Sequence, residues 1–449
     1  MPAADTIFAL SSARGKAGVS VFRVTGPKAG LALEALTGRP VPAPRQASLR
    51  TLKDPAGDVI DRALVLWFPA PASFTGEDTV ELHVHGSRAV LDALTEALAS
   101  QTSLRPAEPG EFTRRAFDNG KLDLTEAEGL ADLIAAETAE QRRLALRQMQ
   151  GGLRLRVDAW RKALIRAGAH LEACIDFPED EIPGGLIDGV AAEVAALNAD
   201  LGRHLADRRR GEIIRDGLTV VILGAPNVGK SSLLNALARR DVAIVSSIPG
   251  TTRDPVEVHL DLAGYAVTLI DTAGLRDTVD EIEAEGIRRT RARAAEADLR
   301  LAVETCLGDG MDSRATQSFP VCDALILNKV DLLAAGAAPL ASADVPVFPV
   351  SATTGQGLEP LVAWLSAEVV ARAGTSESMP LTRARHRHAL EAVTRHLSRF
   401  MDNRTKPATG LDILAEDLRM AARELGRLTG RIDVEDYLDV IFRDFCIGK

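Results

Sequence analysis

The sequence predicts a multidomain fold, α/β in two places and all-α around the second, and three patterns carry that prediction. Residues 1–118 mix short apolar strand-like runs with amphipathic helices. Helical periodicity dominates residues 119–212 and returns over residues 375–449. Between those helical stretches, residues 213–374 alternate strand-like and helix-like runs in the manner of a parallel sheet covered by helices. The second α/β domain is therefore expected as an insert in a discontinuous helical domain. A length of 449 residues suits roughly three domains.

In the first region, strands are expected at residues 5–10, 19–24, 63–68 and 79–85, with helices at 28–36 and 87–98. Pro and Gly at positions 40, 42, 44, 55, 57, 69, 71 and 76 punctuate its loops. Thr125 to Glu128 (TEAE) has the capping-box pattern that opens a helix, ahead of Leu130, Leu133 and Ile134. More helix is expected over residues 153–174 and 190–210. Towards the end, Leu411, Leu414, Leu418, Leu425 and Leu428 fall on one helical stripe, the pattern of bundle core.

Composition narrows the function classes. With 53 basic and 63 acidic residues the net charge is −10, so no general basic field for nucleic acid is present and an RNA partner must meet a local patch. The four cysteines, Cys174, Cys306, Cys322 and Cys446, lack metal-site spacing. Without a secretory leader pattern, a reduced cytoplasmic setting is expected. No apolar run approaches the roughly 20 residues that span a bilayer.

Chemistry is densest in the insert. Residues 219–223 (TVVIL) are followed by Gly224 to Ser231 (GAPNVGKS) and a helix start, the strand, loop and helix context of a phosphate-binding loop. Gly229 lets backbone N–H groups turn inward, Lys230 reaches the outer phosphates and Ser231 offers a hydroxyl to Mg²⁺. Asn328, Lys329 and Asp331 follow a second apolar strand; the Asp331 carboxylate can accept both the ring N–H and the amine of guanine, which favours GTP over ATP. Asp271, Thr272, Ala273 and Gly274 end a third strand, with Asp271 suited to hold Mg²⁺ through water. Ser351, Ala352 and Thr353 are placed to close over the base. These motifs make residues 213–374 similar to the translation-factor-related GTPases.

Leu275 stands where Ras-like enzymes carry the water-orienting Gln. Another group must orient the attacking water, and Asp277, Asp280, Glu281 and Glu283 are the carboxylates nearby. Asn227, inside the phosphate loop, either braces the loop by a hydrogen bond or ligates a monovalent cation beside the phosphates, where it would act as an arginine finger does.

The loop with Asn227, the run from Gly250 to Asp254 (GTTRD), the segment from Asp271 to Arg276 (DTAGLR) and the ending from Phe445 to Lys449 (FCIGK) resemble the MnmE (TrmE) family of bacterial tRNA-modification GTPases. So do Arg23 to Gly26 (RVTG), Ser73 to Asp78 (SFTGED), Pro109 to Phe112 (PGEF) and Lys121 to Leu124 (KLDL), so the resemblance covers the whole chain. It implies an N-terminal folate-binding-like domain that also dimerises, and an inserted Ras-like P-loop GTPase domain. GTP would be contacted by Asn227, Val228, Gly229, Lys230, Ser231 and Ser232, by Ser246, Ser247, Ile248, Pro249, Gly250, Thr251 and Thr252, and by the three later motifs. K⁺ would be held by Asn227, Ser246, Ile248 and Thr251, and Mg²⁺ by Ser231 and Thr252. Glu283 matches the water-positioning carboxylate, and Lys230, Arg276 and Cys446 join it as catalytic candidates. Arg23, Glu81, Lys121 and Lys449 fall on positions that contact 5-formyl-tetrahydrofolate or a related reduced folate. The implied work is modification of carbon 5 of the tRNA wobble uridine, by a homodimer joined to an MnmG (GidA)-like FAD protein in a heterotetramer.

Three stretches depart from the family pattern. Ser246 replaces the common Thr, residues 11–15 (SSARG) replace Thr-Pro-Pro-Gly, and residues 299–306 replace a strand ending in Asp. Two other readings fit parts of the sequence. A ribosome-assembly GTPase of the Era or Der kind shares the nucleotide motifs but needs an RNA-binding tail or second G domain. A folate-dependent one-carbon enzyme with a regulatory GTPase insert need not act on RNA at all.

Overall fold

The computed structural model describes residues 5–176, 185–207, 209–240, 242–244, 257–271, 297–306, 322–333, 345–374, 379–406, 410–432 and 448. The chain forms two compact units, Met1–Ala131 with Gln148–Ala195 and Arg395–Lys449, and Asp132–Arg147 with Ala196–Thr394.

In the first unit six strands, β1 (Thr6–Leu10), β2 (Ser20–Thr25), β3 (Ser48–Lys53), β4 (Val59–Phe68), β5 (Thr79–Val84) and β6 (Leu104–Pro106), form one sheet in the order β3-β4-β5-β2-β1-β6. All neighbours are antiparallel except β1 and β6. Helices α1 (Ala29–Thr37) and α2 (Arg88–Ala99) pack against this sheet over a core that includes Phe8, Phe22, Leu33, Val65, Leu82 and Leu94. Alternation along β1 sends Ile7 and Ala9 to a separate cluster, with Phe112 of α3 (Glu111–Asp118) and Phe74.

The expected strands and helices of this region are present, but β3, β6 and α3 were not anticipated. Strand β3 is an edge strand that buries only Leu52 of its six residues, so it lacks the apolar alternation that marks a half-buried strand. The capping box opening α4 (Leu124–Ala135) also lies two residues earlier than expected. Asp123 Oδ1 accepts the Glu126 N–H at 2.8 Å and Glu126 Oε2 accepts the Asp123 N–H at 2.8 Å. Thr125, instead of capping, is buried and donates its hydroxyl to Asp123.

The chain continues through α5 (Ala139–Met149), α6 (Gly152–Asp176), α7 (Leu186–Leu205) and α8 (Arg210–Asp216). The helix expected over residues 190–210 is split: α7 ends at Leu205, and α8 starts at Arg210 after Arg209, whose left-handed φ of 62° is outside helical geometry. After α9 (Lys230–Ala238) and α10 (Leu358–Ala373) come α11 (Ala384–Arg404) and α12 (Leu411–Leu428). Helix α6 packs on α12. It buries Leu153, Val157, Trp160, Leu164 and Leu171 at helical spacing. Four of the five stripe leucines of α12 are buried, and Leu411, in the first turn, is half-buried.

The second unit contains β7 (Leu218–Leu223), β8 (Glu257–Leu262), β9 (Tyr265–Asp271), β10 (Leu299–Thr305), β11 (Ala324–Asn328) and β12 (Val347–Pro349), ordered β12-β11-β10-β7-β9-β8. Every neighbour is parallel except the β8–β9 hairpin. Its two-residue turn, Ala263 and Gly264 at φ 55° and 89°, has the paired positive φ of a type I′ hairpin. The divergent residues 299–306 still build a central strand, with Leu301 and Val303 fully buried. Among the described residues no helix is long and apolar enough to cross a membrane.

Candidate functional site

The parallel register brings the C-terminal ends of β7, β10 and β11 to one edge, where the phosphate loop leaves β7 and enters α9. Asn328, 2% exposed at the end of β11, ties this edge together. Its Nδ2 donates to the Val228 carbonyl at 2.9 Å, while its Oδ1 accepts the N–H groups of Lys329 at 2.8 Å and Ala352 at 3.1 Å. One carboxamide thus joins the phosphate loop to both base-side motifs. Gly229, at φ 97°, must be glycine here, because a Cβ would stand 2.3 Å from Asn328 Nδ2.

Lys329 Nζ reaches back to the Asn227 carbonyl at 2.8 Å. Asn227 holds a left-handed φ of 64°, is exposed, and its carboxamide makes no hydrogen bond with a described residue. Lys230 is buried, with Nζ on the carbonyls of Gly224 at 2.8 Å and Ala225 at 2.9 Å. Its ammonium therefore lies within the curl of the loop. Ser231 Oγ donates to Asp271 Oδ2 at 2.7 Å, which joins the two groups suited to Mg²⁺, one directly and one through water. Asp331 and Thr353 are exposed beside this edge, whereas Ser351 is fully buried and its hydroxyl accepts the Thr354 N–H. Val228 is buried and Ser232 exposed.

Ser246, Ser247, Ile248, Pro249, Gly250, Thr251, Thr252, Thr272, Ala273, Gly274, Arg276 and Glu283 lie outside the described residues. So do Cys446 and Lys449.

In the other unit, Arg23 on β2 and Glu81 on β5 are cross-strand partners. Arg23 donates to Glu81 Oε1 through Nη2 at 2.8 Å and Nε at 3.2 Å. The guanidinium lies over the rings of Phe74 at 5.4 Å and Phe112 at 5.8 Å, which fixes it as a flat cationic surface. His83 Nε2 stands 3.5 Å from Glu81 Oε2. Lys121 is placed separately, with Nζ on the Pro71 carbonyl at 3.0 Å. Gly448 lies against the end of β1, where its carbonyl accepts the Ser11 hydroxyl at 2.8 Å.

Around α3 runs a charge web that sequence reasoning missed, since its members are scattered. Arg115, 4% exposed, bonds Asp5, Glu77 and Glu111, and Arg105 bonds Asp5 and Glu111. Burial alone would raise the Glu111 carboxyl, but bonds from Arg105, the Glu108 N–H and Arg115 outweigh it and hold its pKa below the ordinary value. Asp5 is depressed in the same way, burial being outweighed by Arg105 and Arg115.

Comparison with known proteins accords with this geometry. The family model described as "GTP-binding protein TrmE N-terminus" matches residues 6–121, and that described as "MnmE helical domain" matches residues 124–446. The chain belongs to the MnmE family of tRNA modification GTPases. It is 54% identical over 446 residues to the "tRNA modification GTPase MnmE" of Paramagnetospirillum magneticum, covering 99% of this chain and 100% of the relative. The relative of the same name from Parvibaculum lavamentivorans is 53% identical over 448 residues, at 99% and 100% coverage. That of Rhodospirillum rubrum is 51% identical over 459 residues, with 99% of each chain covered. MnmE relatives are thus matched along essentially their full length. The nucleotide edge at β7, β10 and β11 falls within residues 124–446, the stretch matched by the helical-domain model.

Proposed function

We propose that this chain is a K⁺-stimulated GTP hydrolase that works as a cytoplasmic homodimer. With an MnmG-like FAD- and NADH-dependent partner, in a heterotetramer, it adds a carboxymethylaminomethyl or aminomethyl group to carbon 5 of the tRNA wobble uridine. The one-carbon unit comes from 5-formyl-tetrahydrofolate or a related reduced folate. In this reading residues 1–118 bind folate and dimerise, residues 119–212 and 375–449 form the helical domain, and residues 213–374 hydrolyse GTP.

The observation that carries the hydrolase half is the cradle at Asn328, where one buried carboxamide fixes both the phosphate loop and the Ala352 loop. Lys230 holds the outer phosphates, Ser231 and Asp271 hold Mg²⁺ with Thr252, and Asp331 reads guanine. K⁺, when bound, supplies positive charge where charge develops on the β/γ bridge. The exposed Asn227 carboxamide, which bonds no described residue, supports its part in that cation site more than a loop-bracing role. Ser246, Ile248 and Thr251 complete the cation set, Glu283 orients the attacking water in place of the Gln that Leu275 displaces, and Arg276 supports it.

On the modification side, Glu81 accepts N–H groups of the pterin, whose donor edge is like that of guanine. Arg23 offers a flat cation backed by two rings, and Lys121 and Lys449 suit the glutamate tail. Cys446 supplies a thiol needed for modification but not for hydrolysis. Movement of the GTPase is carried to this site through the flanking helices.

Mass spectrometry of tRNA nucleosides from cells lacking this protein tests the reading. Loss of the modified wobble uridine is expected, with rescue by the wild-type chain and not by Cys446→Ser, whose GTP hydrolysis stays intact. Normal wobble uridines in the deletion strain would overturn it.

A further inference from the structure

Ser11 belongs to the early loop that departs from the family pattern, and it is bonded at both its backbone and its side chain. Its N–H donates to the Val21 carbonyl at 2.7 Å, which extends the β1–β2 ladder one step beyond Leu10. Next to it, the Ser12 hydroxyl accepts the Val21 N–H at 3.1 Å. Ser11 Oγ, so fixed at the end of the sheet, donates to the Gly448 carbonyl at 2.8 Å across 437 positions of sequence. Gly448 is buried and holds φ 96°. A Cβ there would stand 2.3 Å from the Leu10 carbonyl oxygen and 3.0 Å from Ser11 Cα. Both the backbone angle and the close approach exclude any side chain.

We propose that Ser11 is a positioning residue, a hydroxyl latch that works with the glycine-only slot at Leu10 to hold Gly448 at the end of β1. Ser11 stands two residues beyond Ala9, the cross-strand partner of Arg23, so the latch ties Gly448 to the strand pair that includes Arg23. Its consequence for catalysis rests on the reading that Cys446 and Lys449, two and one residues from the latched glycine, serve the modification.

The test uses the full chain with its FAD partner and tRNA, and compares wild type with Ser11→Ala, Ser11→Thr and Gly448→Ala. Three rates are read: GTP hydrolysis, tRNA modification, and alkylation of Cys446 by iodoacetamide resolved by peptide mass spectrometry, with half-buried Cys306 as internal reference. Ser11→Ala is expected to leave hydrolysis unchanged, to change Cys446 alkylation relative to Cys306 about five-fold, and to slow modification about five-fold, the weight of one hydrogen bond. Ser11→Thr restores both, since it keeps the hydroxyl. Gly448→Ala acts more strongly, and adding Ser11→Ala to it changes nothing further because the slot is already lost. Unchanged alkylation and modification in Ser11→Ala would overturn the latch. Cys446→Ser separates the two ideas. If it retains full modification, the role given to Cys446 fails while the alkylation rates still judge the latch; if it abolishes modification and Ser11→Ala is silent, the latch fails alone.

Discussion

In the sheet that ends at the nucleotide edge, five of six strands run parallel, and the chemistry lies in loops that leave their C-terminal ends. In the N-terminal sheet, antiparallel register sets Arg23 and Glu81 side by side on the sheet's face, with Phe74 and Phe112 behind the guanidinium. The first arrangement presents backbone groups and a few short side chains in a contiguous loop. The second presents long charged side chains from strands 58 positions apart. A loop cradle is suited to charge that develops during reaction, so its loss should appear as rate. A charged pair on a rigid sheet is suited to holding a ligand, so its loss should appear as affinity.

The largest expected effect is on the rate side. Glu283→Ala should retain GTP binding and lose about 100- to 1,000-fold in kcat, the scale for removing one preorganised group from a charge-stabilising site. Phosphate release and fluorescent-nucleotide binding measure the two separately. Hydrolysis at the wild-type rate would remove Glu283 from the mechanism.

Next comes the affinity side. Glu81→Gln replaces an anionic acceptor by a neutral amide and also removes the partner of Arg23. The Kd for a reduced folate, by isothermal titration, should rise about 10- to 100-fold, the cost of losing a charged hydrogen-bond acceptor. GTP hydrolysis should not change. An unchanged Kd would show that the sheet face does not bind folate through Glu81, and the contrast between the two regions would collapse.

The same difference explains what the sequence revealed. The phosphate loop, Asn328 to Asp331 and the strands ahead of them were legible because each motif is contiguous and each strand is buried on both faces, so its apolar run is unbroken. Residues 299–306, which read as a departure from the family strand, nevertheless form β10, with Leu299, Leu301, Ala302 and Val303 buried. Asn328's bond to Val228 was not legible, because it joins residues 100 positions apart and no local pattern marks such a contact. In the N-terminal region Arg23 and Glu81 became candidates only through resemblance, because pairing across strands depends on register. Strand β3 was hidden because an edge strand buries too little to leave a pattern, and helix α3 because it is short and two of its four buried residues, Thr113 and Arg115, are polar. The capping box was read at Thr125 because Thr fits the pattern as well as Asp123 does, and only burial of Thr125 decides between them.

The smallest expected effect concerns the charge web around α3 and separates scaffold from site. Glu111 and Asp5 both titrate below their ordinary values because Arg105 and Arg115 outweigh the cost of burial. A depressed carboxylate contributes stability that is complete above its unfolded pKa, about 4 for these residues, and that is lost as pH falls through the lower folded value. Glu111→Gln should therefore lower the thermal midpoint at pH 7, and the gap to wild type should close as pH falls through 4 towards 3. The gap is expected to be modest, because of the two guanidinium partners of Glu111 the Arg105 side chain is 42% exposed and screened by solvent, and only Arg115 is buried. Folate affinity and GTP hydrolysis at pH 7 should be unchanged in this variant. A gap of equal size at pH 7 and pH 3 would mean that Glu111 acts through packing and not through its charge. A loss of folate affinity at pH 7 would extend the binding face from the Arg23–Glu81 pair to the web around α3.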